Sequence, residues 1–421
     1  MVLSDGNRTV ALAAIDGIGI YREDVEAVRR ELGWQGGRSF LFLSATHDHA
    51  APDLLGLWGP LPATSGIDER YRRRVRKAAA TLVKGLSSHL EEVQLSVARS
   101  ETDPRGLCRD TRDPAVIDPE LLALQARSKN RTVATVVRWS CHAEVLGENN
   151  FSVSADYPGA LCSKIEKESG GACLFFAGDV GGLLTPERSP SEPPFDEVQR
   201  IGEAVAARAL GALGRGEKVP PGDVLFNSEI VRVPIENSRY LLFLPALAAG
   251  HRILDSEGRP LSRSGIWALS LRQLILFPLP ERLRPWVESE VSLVRIGPVA
   301  ILGVPGELFP ELAIGGYGGE YAFGRPLVGP SNPNPPKLAE APKGPYLREK
   351  MRSRFGLIVG LANDELGYIV PDYDFQAAPT RSMLPKPKGT HYEETNSIGR
   401  RATGIILGAA ESLLSARERA R

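Results

Sequence analysis

Apolar positions recur along this chain at two spacings that alternate. The run Val10-Ala11-Leu12-Ala13-Ala14-Ile15 is short and continuous, and reads as a buried strand over 9–15. The spacing then predicts a helix over 22–32, and Phe40-Leu41-Phe42-Leu43 predicts a second strand over 39–45. Asp68 stands where an N-cap is wanted, ahead of a long helix whose apolar face is read as Tyr71, Val75, Ala78, Leu82 and Leu86. A strand over 93–97 follows, then the β-branched run Arg131–Ser140. Next come a helix from Tyr157 to Glu168, the strand Ala172–Phe176 and an alanine-rich helix over 195–213. Ser292–Ile296, Gly297-Pro298 and Val299–Val304 spell a hairpin, and Phe355–Asn363 a last buried strand. The alternation predicts an α/β fold with a mixed, largely parallel sheet flanked by helices.

Residues 223–290 break this rhythm with short strand-like runs and proline-broken apolar stretches. Leu241–Leu247 and the surroundings of Trp267 and Trp286 look amphipathic. The span is read as an insertion that packs into the core, with a lipid-facing lip as the alternative. The proline-rich stretch 326–345 is an extended loop. A second loop, 371–391, is a candidate lid. The whole chain, 1–421, is read as one catalytic domain.

Composition narrows the function. The chain has 51 basic and 51 acidic residues, so it has no bulk charge with which to hold nucleic acid or an acidic membrane surface. No apolar run approaches the ~18 residues of a spanning helix, which leaves transient contact with a membrane surface. Met1–Arg8 shows no signal-type core, so the chain as it stands reads as cytoplasmic, and as exported if a leader precedes it. The four cysteines do not form a disulfide scaffold; Cys141, Cys162 and Cys173 are expected to be buried thiols.

Candidate chemistry sits where strands run out. Ser44-Ala45-Thr46-His47-Asp48-His49 follows the 39–45 strand and spends two of six histidines one residue apart. Alternation puts both imidazoles on one side of an extended chain. His142 ends the 131–140 strand, and Glu307 follows the hairpin in Val304-Pro305-Gly306-Glu307. Histidines at strand mouths suit a metal ion, whereas Glu307 on its own is accounted for by the dipole of the helix that follows it. Tyr368 lies in the loop after the last strand.

These segments together resemble the neutral, non-lysosomal ceramidases. The resemblance is carried by 44–53, Trp-Ser-Cys-His at 139–142, Ser-Ala-Asp-Tyr-Pro-Gly at 154–159, and Phe-Phe-Ala-Gly-Asp-Val-Gly-Gly-Leu-Leu-Thr-Pro at 175–186. Val-Pro-Gly-Glu at 304–307, Gly-Leu-Ala-Asn with its following Gly-Tyr at 360–368, and His-Tyr-Glu-Glu at 391–394 complete it. It implies a zinc site of His47, His142, Glu307 and Tyr368 at the carboxyl ends of strands. It implies that His49 and Tyr392 contact the reacting group and that Arg109 lines the site. Its substrate class would be a lipid amide such as ceramide, cleaved to a fatty acid and a sphingoid amine. The family motif Gly-Asp-Val-Ser-Pro carries a serine; Thr185 is matched to it here, which disfavours covalent serine chemistry and leaves water as the nucleophile. The chain also starts almost at its first family strand and shows no immunoglobulin-like C-terminal domain. A zinc hydrolase of another amide or ester, and a lipid-binding homologue without turnover, are the alternatives. A metallo-β-lactamase is excluded, since Ala50-Ala51-Pro52-Asp53 follows His49 where an Asp-His pair is required.

Overall fold

The computed structural model describes residues 1–56, 59–61, 63–276, 279–376 and 392–416. Three sheets are built from strands whose two faces go to different partners. In the strand Glu120–Ser128, Leu122 and Leu124 point to one cluster, while Leu121 and Ala123 point to another. In the strand Trp286–Ile296, Val294 and Ile296 join that first cluster, while Val291 and Leu293 face a third. The shared interior therefore lies between facing sheets, with Phe42 edge-on to Phe176 at 5.7 Å. Helices cover the outer faces. Asp156–Ser169 and Pro194–Leu213 lie on the five-stranded sheet, and Arg401–Ser415 on the four-stranded one. Arg22–Leu32 and Glu69–Ser87 cover the three-stranded sheet.

The fold is α/β and mixed, as expected, but its sheets are not largely parallel. The five-stranded sheet has one parallel pair, Arg131–Trp139 with Ala172–Ala177, and otherwise runs antiparallel. The four-stranded sheet likewise has one parallel pair, Val299–Gly303 with Phe355–Val359. The reason is connection length. Lys129-Asn130 and Gly297-Pro298 are hairpin turns, and a hairpin can only return antiparallel. The strand Glu120–Ser128 escaped the sequence reading because Glu-Leu-Leu-Ala-Leu-Gln-Ala-Arg-Ser is buried on both faces and does not alternate.

Local expectations met mixed outcomes. The strands Thr9–Ile15 and Ser39–Ala45 and the helix Arg22–Leu32 have the expected bounds. Asp68 caps Glu69–Ser87 by accepting from the N–H groups of Arg70 and Tyr71. The expected face of that helix is wrong: Leu82 and Leu86 are exposed, and Arg72, Ala80 and Val83 are buried. The guanidinium of Arg72 turns inward because Asp24 takes it bidentately, at 2.6 and 3.0 Å. The span 223–290 begins and ends inside adjacent strands, Val224–Pro234 and Trp286–Ile296, so the excursion is the stretch between them.

His251 fastens that excursion. Its imidazole is buried 3.2 Å from Glu23 on one side and 3.2 Å from Asp364 on the other. Burial opposes its charge, but Asp364 and Glu23 outweigh burial and push its pKa up to about 10. A raised pKa stabilises the fold fully below the unfolded value of about 6.5 and loses that contribution as pH climbs through the folded value. His251→Gln should therefore lower the unfolding midpoint, and its deficit against wild type should shrink steadily toward pH 10. Thermal melts of both proteins across this window check it; a deficit that does not change with pH would mean that packing, not charge, holds the clamp.

Candidate metal centre

Short ladders beyond the strand ends build the centre. Asp48 bridges to Ala143, and the His49 N–H donates to the Ala143 carbonyl at 3.0 Å, which ties the two histidine segments together. Glu307 and Tyr368 are direct partners in the parallel pair Glu307–Leu308 with Tyr368–Ile369. Asn363 pins the first segment to the last. Its Oδ1 accepts from the Leu43 N–H at 2.9 Å, and its own N–H donates to the Leu43 carbonyl at 2.7 Å. Asn363 adopts φ +62°, a left-handed conformation that asparagine tolerates better than most residues.

His47 also sits at φ +62°, at a cost of roughly 1–3 kcal/mol that its surroundings must hold. Its Nδ1 lies 2.7 Å from the Ile18 carbonyl. A carbonyl only accepts, so Nδ1 carries the proton and Nε2 the lone pair. His142 repeats the arrangement with the Leu184 carbonyl at 2.9 Å. Both Nε2 atoms converge on Oε2 of Glu307, at 3.3 Å from His47 and 3.0 Å from His142. All three atoms are acceptors, and such a set is stable only around a shared cation or proton. Burial alone would raise the Glu307 carboxyl, yet the two imidazoles hold it well below the usual carboxylate range. Burial lowers His142, but Glu307 outweighs it and raises the imidazole pKa.

The remaining candidates fall in two groups. The ligand atoms of His47, His49 and His142 lie within 4.8 Å of one another. Burial, then the two facing imidazoles, pushes His49 well below its usual pKa, so it is neutral at physiological pH. Tyr368 is buried, its hydroxyl 3.5 Å from His142 Nε2. The Tyr392 ring lies 6.1 Å from that of Tyr368, on the helical turn Tyr392–Thr395. Arg109 and Thr185 are cross-strand partners in the ladder Cys108–Asp110 with Leu184–Pro186. Arg109 is exposed there, whereas Cys108 and Asp110 are buried. Thr185 follows Leu184, whose carbonyl holds His142. Cys141 is buried; Cys162 and Cys173, expected to be buried, are only partly so. His391 of the 391–394 motif, and most of the 371–391 loop, lie outside the described residues.

Two features escaped the sequence reading. The first is Arg112. Its buried guanidinium pairs with Asp374 at 2.6 Å, Glu393 at 2.5 Å and Glu394 at 3.1 Å. It thus holds the turn that carries Tyr392 against the loop after Tyr368. A signal was present in Arg112-Asp113-Pro114, three residues beyond the arginine that was chosen. The second is Gly181, which directly follows Gly178-Asp179-Val180. A Cβ on Gly181 would lie 2.5 Å from the Phe309 ring and 2.8 Å from the Glu307 carbonyl. The ladder around Glu307 leaves no room for a serine there.

This is a mixed α/β framework in which two histidines and a carboxylate converge beyond strand ends. Among solved structures it is similar to the neutral ceramidase of Pseudomonas aeruginosa, at 16% identity and a TM-score of 0.63, over 98% of this chain and 66% of that one. It is similar also to a ceramidase in complex with C2, at 15% identity and a TM-score of 0.63, over 98% of this chain and 68% of that one. The chain thus has the neutral ceramidase fold and spans about two thirds of those proteins. No family profile matches it, and no characterised protein matches it by sequence.

Two imidazole nitrogens with a carboxylate fit a divalent cation such as zinc. His47→Ala and His142→Ala should each abolish retention of a divalent metal after dialysis. Metal analysis checks it; full occupancy in both variants would remove the site.

Proposed function

We propose that this chain is a zinc-dependent hydrolase of a lipid amide, ceramide-like, that releases a fatty acid and a sphingoid amine. The observation that carries the reading is the convergence of His47 and His142 on Glu307, with Tyr368 beside them, in a neutral ceramidase fold. Three protein ligands and a phenol would hold the ion. Bound zinc supplies a Lewis acid and makes water a stronger nucleophile at neutral pH.

The chain's own residues do the rest. The Nδ1–H groups of His47 and His142 donate to the Ile18 and Leu184 carbonyls, which keeps both Nε2 lone pairs free for the metal. Glu307 is a ligand rather than a base, since its Oε2 converges with the Nε2 lone pairs of both imidazoles on one point. His49, neutral, has one N–H to give to the amide oxygen as charge develops on it. Burial keeps the Tyr392 phenol protonated, so it can hand its proton to the departing amine. Water's hydroxyl joins the acyl carbon, the C–N bond breaks, the amine leaves with the phenol's proton, and the proton released by water restores the phenol. Thr185 has no place in this scheme as nucleophile. Arg109 is proposed to touch substrate only outside the buried centre.

Three variants test the assignment. His49→Ala and Tyr392→Phe should keep zinc and lose about 10²–10³ in turnover, the usual cost of one such donor. Thr185→Val should retain most activity. Turnover on a panel of N-acyl amides, with zinc added or chelated, decides the reading. Near-normal rates in both donor variants would make those residues structural, and no turnover on any amide would leave a binding protein.

A further inference from the structure

The helix Arg263–Ile275 is apolar on both faces, but the chain buries only one. Its inner face, Ile266, Leu269, Ser270 and Gln273, is covered. Its outer face is Trp267, Leu271, Leu274 and Ile275, at 50, 56, 67 and 79% exposure. The spacing places these four on one stripe. Single exposed leucines are ordinary on a protein surface; a continuous helical stripe is not.

Charge indicates what covers it. From Gly258 to Pro280 the sequence has Arg259, Arg263 and Arg272 and no Asp or Glu. Arg259 pairs with Asp255 and Glu257. Arg263 and Arg272 are exposed, and helical spacing sets one on each flank of the stripe. An apolar stripe that contains tryptophan, flanked by arginines and free of acids, suits the headgroup boundary of an anionic bilayer. A second copy of the chain would bring arginine to arginine with no acid on the stripe to pair them. The helix also connects to the candidate site. Ser270 donates to the Leu242 carbonyl at 2.6 Å, and Tyr240, two residues before Leu242, donates to the Asn396 carbonyl at 2.9 Å, four residues beyond Tyr392.

We infer that the helix Arg263–Ile275 docks this chain on anionic lipid bilayers. The inference deepens the lipid-amide reading and takes its purpose from it, but its test needs no turnover. Vesicles of phosphatidylcholine with phosphatidylglycerol, which contain no lipid amide, are floated with the full chain and compared with pure phosphatidylcholine. The chain should float with the mixed vesicles and far less with the neutral ones. Leu271→Ser with Leu274→Ser should weaken partition about tenfold or more, since both side chains leave the acyl boundary. Arg272→Glu, a milder surface change, should remove most of the preference for phosphatidylglycerol. Unchanged thermal midpoints show that both variants fold. No flotation of the wild-type chain, or flotation that both variants retain, overturns the inference. So does a concentration-dependent dimer, seen by sedimentation, that the leucine variant abolishes. Vesicle binding without turnover on any amide would leave this inference standing and remove the lipid-amide reading.

Discussion

Arg138 is the pivot of the molecule. It is fully buried in the five-stranded sheet, yet its Nε donates to the Ile358 carbonyl in the facing four-stranded sheet at 2.9 Å. Its Nη1 binds Asp118 at 2.7 Å and the Glu120 carbonyl at 3.0 Å, and its Nη2 binds Asp179. Burial would raise Asp118, but Arg348 and Arg138 hold it well below the carboxylate range. A buried charge of this kind adds little net stability when paired, but removing one partner strands the others at roughly 3–5 kcal/mol. What the network fixes is alignment. Asp179 belongs to the turn before Gly181, and Ile358 to the strand that runs into Gly360–Asn363. One guanidinium therefore sets the relative height of two sheets whose strand ends carry the site.

The site can then be assembled from backbone contacts. Asp48 with Ala143, Ser44 with Ala362, and Glu307 with Tyr368 are all main-chain pairings. Each aligns two loops without help from the side chains that do chemistry. The side chains that adjust the loops, Asn363 and Arg112, stand outside the histidine cluster. This separation explains how acceptors as mutually unfavourable as two imidazole nitrogens and a carboxylate stay within 3.3 Å. The framework is paid for by ladders and the Arg138 network, so the ligands are free to suit a cation.

Much of this was legible in the sequence, for identifiable reasons. Strong short apolar runs such as Thr9–Ile15 and Ser39–Ala45 gave correct strands, and the strand mouths pointed to His47, His142 and Glu307. Strand direction was legible at the 297–298 hairpin but not elsewhere, because alternation of strand and helix suggests parallel crossovers while the turn at 129–130 imposes reversal on a strand that the pattern hides. Burial of charged residues was not legible either. Arg72 and Arg112 are buried because Asp24, Glu393 and Glu394, far away in sequence, pair with them.

Gly181 shows how the same constraint reaches the chemistry. Its N–H donates to the Leu308 carbonyl at 2.9 Å, and the space beside its Cα is filled by the Phe309 ring and the Glu307 carbonyl. That close approach lets the Glu307–Leu308 strand lie against the turn set by Asp179. A serine at this position would need the strand to retreat, and Glu307 would retreat with it from His47 and His142. The packing that brings the carboxylate to the imidazoles is thus incompatible with a hydroxyl after Gly178-Asp179-Val180. In this chain the close approach of the Glu307–Leu308 strand to the turn set by Asp179 leaves no space for a Cβ at Gly181.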